Sequence, residues 1–393
     1  MTEDVFIIAA RRTPIGAFLG ALSGATAPQL GAAAVRAAVA DARVAGDKID
    51  EVILGCVLPA GLGQAPARQA SLGAGVPQSV PVTTVNKVCG SGMRSAMLGC
   101  DSIRAGSARI VIAGGFESMT NAPYLLPKAR QGYRMGHGEI LDHMFYDGLQ
   151  NPYDGLMMGH FADATAKKYQ FTRADQDAFA AESVRRAQAA CNSGAFSAEL
   201  TPVTVKGRKG DQVVERDEPP FNCDISKIPS LKPAFAKDGT VTAASSSTIA
   251  DGAAALVLAS ASAAREIGAT PLARVVAYGS FAHAPEWFTT APAGAIQRVL
   301  EKAGWAAGKV DLYEINEAFA VVSMAAMRDV GLDHSRVNVN GGACALGHPI
   351  GASGARIMTT LLHALKARGL KRGVASLCIG GGEATAIALE MVG

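Results

Sequence analysis

The feature that most constrains this chain is that it carries one pattern twice. Gln29 to Ala45 reads as an Ala-rich helix, leading through a short turn into Lys48-Ile49-Asp50-Glu51-Val52-Ile53-Leu54-Gly55. Ala295 to Gly304 leads in the same way into Lys309-Val310-Asp311-Leu312-Tyr313-Glu314-Ile315-Asn316. Each copy has a second block. Val85-Asn86-Lys87-Val88-Cys89-Gly90-Ser91-Gly92 precedes a helix to Ala105 and a strand from Arg109 to Ala113, closing on Gly114-Gly115. Val337-Asn338-Val339-Asn340-Gly341-Gly342 precedes a Gly-rich turn, a helix to Ala367 and a strand from Val374 to Cys378, closing on Gly380-Gly381-Gly382. Two mixed βαβ units predict an α/β fold of two similar halves whose strands are buried on both faces.

Between the halves, Glu117 to about Ser247 has a different texture. It holds many of the prolines and the polar run Lys206-Gly207-Arg208-Lys209-Gly210-Asp211. One helix is expected there, from an N-cap at Thr172, ahead of Asp175, to Asn192-Ser193-Gly194. An insertion of this size reads as a lid or binding subdomain, because function gathers on loops held by a rigid scaffold. The apolar run Gly252 to Ala259 then returns to the first half as a strand. The predicted division is 1–118 plus 248–270 for the N-terminal half, 119–247 for the insertion and 271–393 for the C-terminal half.

The 393 residues exceed the roughly 250–300 at which single cores stop growing. Hydrophobic residues at 49% against 18% charged exclude a disordered chain. A net charge of +3 is too small for a nucleic-acid footprint. No apolar run reaches the ~18 residues of a membrane helix, and the first residues lack the basic start of a signal peptide. Seven cysteines without a C-x-x-C pair match neither a disulfide framework nor a zinc site. The expectation is a cytoplasmic, thiol-reduced chain with no membrane, nucleic-acid or metal partner.

Four short stretches could carry chemistry. Cys89 follows an apolar strand read as Val82 to Val88 and opens a helix after Gly90-Ser91-Gly92, a strand–nucleophile–helix elbow built with Cys. A helix N-terminus there is expected to lower the thiol pKa. Gly347-His348-Pro349-Ile350-Gly351-Ala352-Ser353-Gly354 supplies an imidazole, or is simply a structural turn. Cys378-Ile379-Gly380-Gly381-Gly382 supplies a second thiol and bare N–H groups of the kind an oxyanion hole needs. Asn316-Glu317-Ala318-Phe319 ends the repeated strand. All four fall at equivalent strand ends, where open α/β sheets place their sites.

In order and spacing, these four stretches resemble the active-site blocks of the thiolase superfamily, and the resemblance runs from Ala10-Arg11-Arg12-Thr13-Pro14 to the last strand. It implies the thiolase fold, a layered α-β-α-β-α core with an inserted loop domain. It implies that Cys89 is the acylated nucleophile, His348 its base and Cys378 the general acid/base. The oxyanion would meet the N–H groups of Cys89 and Gly380, and the enolate oxygen would meet His348 and a water on Asn316. Ping-pong transfer between acetyl-CoA or 3-ketoacyl-CoA and CoA would follow, with no cofactor and with a homotetrameric assembly. Asn316 sets the chain apart from the similar ketoacyl-ACP synthases, which usually place a histidine there.

The loop region is more similar to short-chain acetoacetyl-CoA thiolases than to long-chain degradative ones. That similarity places Ser247 on the pantetheine arm and assigns Ala243, Phe235, Ala318, Phe319 and Phe288 to substrate and CoA binding. Met157 stands where the family often has histidine, changing an acyl-pocket or pantetheine contact, and Lys227 is a candidate for the adenine and phosphate contacts. A subgroup binds potassium; Tyr153, Ala243 and Ala244 match its site, whereas Ser246 and Cys344 depart from it. Two other readings stay open: a broader or 2-methyl-branched 3-ketoacyl-CoA thiolase, and a CoA- or lipid-binding protein without turnover.

Overall fold

The computed structural model describes residues 3–207 and 210–392. Arg208 and Lys209, in the polar run singled out above, lie outside the described residues. Ten strands form one sheet. Its nine main members are β1 (Val5–Arg12), β2 (Glu51–Gly55), β3 (Val82–Val85), β4 (Ile110–Ser118), β5 (Ala250–Ser260), β6 (Ala273–Ala282), β7 (Leu312–Ile315), β8 (Arg372–Ile379) and β9 (Glu383–Met391). They lie in the order β3-β2-β4-β5-β1-β6-β9-β8-β7, and the short strand Gly16–Ala17 pairs with β5.

This order is the repeat made visible. Strands β1, β2, β4 and β5 of the first half correspond to β6, β7, β8 and β9 of the second. In each half the outer pairs are parallel and the inner ones antiparallel. Even the irregularities match. An extra residue, Ile8, bulges from β1 against β5, and Val276 bulges from β6 against β9 at the equivalent place. The halves join through two residue pairs, Phe6 opposite Arg274 and Ile7 opposite Ala273.

Helices α1 (Ala27–Ala42) and α2 (Pro66–Gly73) cover the outer face of the first half, and α6 (Ala291–Ala303) covers that of the second. Between the half-sheets lie α3 (Ser91–Arg104) and α8 (Ser353–Ala367), packed on each other. Met93, Met97, Leu361, Leu256, Leu377 and Leu389 are among the buried side chains of this central layer. Because α3 and α8 carry apolar residues toward both half-sheets, they form the middle layer of the expected five. Helix α1 starts two residues earlier than the reading from Gln29, because Thr26 caps it in a box with Gln29. It stops at Ala42, where Arg43 turns left-handed at φ 52°.

Two helices, not one, come from the insertion: α4 (Met158–Tyr169) and α5 (Arg173–Ser193). The second begins at Thr172 with a capping box to Asp175 and ends at Gly194, as expected. The first escapes the sequence reading because Met157 caps it with no side-chain hydrogen bond, so no start signal is written there. Helix α7 (Ala320–Val330) packs on α6 and lies behind the segment carrying Asn316. No helix among the described residues is long and apolar enough to cross a membrane.

Candidate active site

The site lies where the parallel strands end. Strand β3 stops at Val85, three residues short of the expected Val88, and the chain knots before α3 begins. Val88 N–H donates to Asn86 Oδ1 at 2.9 Å; Ser91 Oγ accepts from Lys87 N–H at 2.8 Å and donates to the Val88 carbonyl at 2.6 Å. These bonds hold Val88 at φ 46°, a conformation that a β-branched residue rarely adopts. Cys89 leaves this knot half-buried, beside Ile350, Leu149 and Ile249. A Cβ at Gly90 would meet the tip of the Ile379 side chain at 2.4 Å, so glycine lets the nucleophile loop approach the end of β8 without displacing that side chain.

The backbone N–H groups of Gly380, just past that strand end, and of Cys89 itself favour the Cys89 thiolate. Burial outweighs both and pushes the thiol up to about 11. This corrects the expectation of a lowered pKa: the helix begins two residues later, and loss of water governs. Cys378 is buried next to Cys89; burial first, and then its neighbour, pushes its thiol well above the ordinary range. Both thiols rest protonated.

His348 is buried, and burial with Arg356 nearby lowers its pKa to about 3, so the imidazole is neutral and can act as a base. Its backbone N–H donates to the Thr248 carbonyl at 2.9 Å. Its Nδ1 lies 2.5 Å from Ser353 Oγ, which also lies 2.9 Å from the Pro349 carbonyl. Asn316 Nδ2 is 3.5 Å from the ring nitrogens, whereas its Oδ1 is buried without a protein partner. Glu317 behind it accepts from Ser183 Oγ at 2.7 Å, Asn338 Nδ2 at 2.8 Å and Cys344 N–H at 3.1 Å, tying the site to α5.

A pocket opens onto His348. Met157, Met158 and Phe235 form one wall, Ala318 and Phe319 another, and Ser246 and Ser247 the rim. A Cβ at Gly159 would strike the Phe235 ring at 2.2 Å, so glycine lets that ring lie on α4. The rim loop runs along the Asn316 segment: Ser247 N–H donates to the Ala318 carbonyl at 2.9 Å and Ala320 N–H to the Ser245 carbonyl at 2.8 Å.

These blocks match known proteins throughout their length. Residues 5–262 match the model of the thiolase N-terminal domain and residues 269–391 that of the thiolase C-terminal domain. The chain belongs to the thiolase family. Among its relatives, the acetyl-CoA acetyltransferase of Pseudomonas aeruginosa is 49% identical over 389 residues, covering 98% of this chain and 99% of the relative. That of Schizosaccharomyces pombe is 48% identical over the whole of both chains. The crystal structure of the Bacillus anthracis acetyl-CoA acetyltransferase superposes with a TM-score of 0.97 at 42% identity, covering 100% of this chain and 99% of that one.

Not every residue expected from the thiolase resemblance reaches the pocket. Phe288 is 3% exposed and packs edge-on behind Phe319 at 6.4 Å, so it supports the wall without facing the acyl group. Lys227 is three-quarters exposed and pairs with Asp224 at 3.4 Å, away from the pocket lining. Ala243 is exposed but does not line this pocket. For the potassium set, Tyr153 is 75% exposed, Ala244 packs with Ile228 and Ala181, Cys344 is buried with its thiol donating to the Glu317 carbonyl, and Ser246 donates to the Thr242 carbonyl. Conversely, Phe145, Leu149, Ile249 and Ile350 line the pocket unforeseen. Phe145 and Leu149 sit on an irregular helical turn, Met144–Leu149, that has no apolar period to betray it.

Proposed function

We propose that this thiolase is an acetyl-CoA C-acetyltransferase that interconverts two acetyl-CoA with acetoacetyl-CoA and CoA. The observation that carries this reading is that Cys378 lies beside Cys89, which packs in one cluster with Ile350, Leu149 and Ile249 of the pocket that the neutral imidazole of His348 also lines. The relatives that match end to end, including that of Cupriavidus necator at 48% identity, bear that activity in their names.

In this mechanism His348 Nε2 takes the Cys89 proton as the sulfur attacks the thioester carbonyl. The oxyanion is held by the N–H groups of Cys89 and Gly380, donors of a kind worth about 3 kcal/mol of barrier each. CoA leaves as its thiol, taking a proton from Cys378, and the acetyl group stays on Cys89. A second acetyl-CoA then loses an α-proton to the Cys378 thiolate, and its enolate oxygen is met by His348 and by the free acceptor side of Asn316 through water. The enolate carbon bonds to the acyl carbon, the Cys89 sulfur departs and takes back the proton held by His348, and acetoacetyl-CoA is released. Ser247, Phe235, Met157, Ala318 and Phe319 surround the thioester arm. No resident cofactor enters these steps.

The division into 1–118 with 248–270, 119–247 and 271–393 accompanies this reading, as does a cytoplasmic setting, consistent with seven free cysteines. So does a homotetramer, for which the insertion offers exposed Tyr124, Leu126, Met135 and Ile140. The deciding experiment compares thiolysis of acetoacetyl-CoA and 3-ketohexadecanoyl-CoA by the wild type and Cys89→Ala. Turnover of the four-carbon substrate alone, lost in the variant, supports the reading. Comparable rates on both substrates move it to a broad degradative thiolase, and no turnover of either overturns it.

A further inference from the structure

Glu117, the penultimate residue of β4, is wholly buried and takes no part in the steps above. Its carboxylate is nevertheless among the most heavily used acceptors around the site. Oε2 accepts from Val57 N–H at 2.9 Å and from Gly351 N–H at 2.9 Å; Oε1 accepts from Leu58 N–H at 3.1 Å and faces the Cys56 thiol at 3.6 Å. Two loops therefore hang from one side chain. The first follows β2 and places Val57 and Leu58 beside Ile350 and Cys89. The second is the stretch from His348 to Ser353. Gly351 is wedged there: a Cβ on Gly115 would strike its carbonyl oxygen at 2.0 Å, and one on Gly92 would lie 3.0 Å from it.

We propose that Glu117 is a positioning residue whose ionised carboxylate holds the His348 loop against the loop after β2 on which Cys89 packs, keeping the reacting groups in register. Four donors converge on it, and an ionised carboxylate can accept from all of them, whereas a protonated one presents its own O–H to a donor. Backbone N–H groups cannot turn away, so protonation pushes one of the two loops outward. Displacing reacting groups by about 1 Å costs on the order of 100-fold in rate. The titratable groups facing Glu117 are Cys56 from the end of β2 and Cys89 from the nucleophile loop, both thiols raised by burial and neutral at rest. Burial raises Glu117 itself to about 7, against the pull of its three N–H donors and the Cys56 thiol, so the switch falls near neutral pH.

This inference rests on the thiolase reading for its turnover assay, but not for its second readout, the rate at which iodoacetamide alkylates Cys89. Both are followed against pH in the wild type, Glu117→Gln and Cys56→Ala. The wild type is expected to lose kcat and alkylation rate together on an acid limb centred near pH 7, with KM little changed. Glu117→Gln, which turns an N–H₂ group toward a donor, is expected to fall about 100-fold in kcat and to lose that limb. In Cys56→Ala a donor to the carboxylate is gone, so the limb moves to higher pH while the plateau is kept. A folded Glu117→Gln with the wild-type limb overturns the proposal, as does an unmoved limb in Cys56→Ala should the glutamine variant fail to fold. If the wild type turns over neither substrate, the alkylation profiles decide alone.

Discussion

Ser353 Oγ lies 2.5 Å from His348 Nδ1 and 2.9 Å from the carbonyl oxygen of Pro349. A carbonyl only accepts, so the serine proton goes to Pro349 and the serine lone pair receives Nδ1–H. That fixes the tautomer of the imidazole and leaves Nε2 as the base. Ser353→Ala removes one hydrogen bond, about 1.4 kcal/mol or tenfold in rate. Steady-state thiolysis of acetoacetyl-CoA should show kcat down about tenfold with KM little changed; an unaltered kcat refutes the tautomer argument.

Cys378 is assigned the proton transfers and Cys89 the covalent bond, and a variant can separate them. Cys378→Ala keeps Cys89, His348 and the Gly380 N–H in place. Incubated with acetyl-CoA, it should carry one acetyl group on Cys89 by mass spectrometry. Its turnover should fall by roughly 100- to 10,000-fold, the usual contribution of a general acid/base. Because Cys378 also protonates the departing CoA, the adduct should form slowly; its complete absence would mean that no other group can supply that proton.

Phe288 supports the pocket wall from behind. Phe288→Ala leaves a hole beneath Phe319 and should lower stability by about 3–5 kcal/mol, read as a fall in denaturation midpoint. KM for acyl-CoA should rise as Phe319 loses its backing. A variant as stable as the wild type would show that the site collapses around the deletion.

His348 also makes stability depend on pH. Its folded pKa is about 3, below the ordinary 6.5, so between those values the unfolded chain binds a proton that the folded one does not. The stabilisation of the neutral form is complete above pH 6.5 and is lost as the pH falls toward 3. Melting temperature should drop over that window, and His348→Asn should drop less steeply. Parallel curves for the two proteins would assign the acid sensitivity to other groups.

What was legible in the chain is what repeats or what starts with a capping signal. The doubled helix–turn–strand pattern exposed the two halves, and Thr172 with Asp175 exposed α5, because each writes a local hydrogen bond into neighbouring residues. Helix α4 and the turn carrying Phe145 and Leu149 have no such signature; packing against the pocket holds them. Cys89, His348, Asn316 and Cys378 were legible as strand-end residues. The thiol pKa was misjudged because helix polarity is written locally, whereas burial arises from segments far apart in the chain. Phe288 was assigned to substrate binding, yet it stands behind Phe319: aromatic character shows in sequence, but which ring stands in front does not.

The seam between the halves is two residue pairs wide, Phe6 and Ile7 against Arg274 and Ala273. Cys89 belongs to one side of it and Cys378 to the other. Little main-chain bonding resists sliding of one half-sheet along the other, so the alignment depends on the side chains of α3 and α8 between them. Catalytic competence is therefore a gauge of that alignment. A small shear would separate the two sulfurs while every helix and strand is still formed, so on heating activity is expected to fall before the circular dichroism changes.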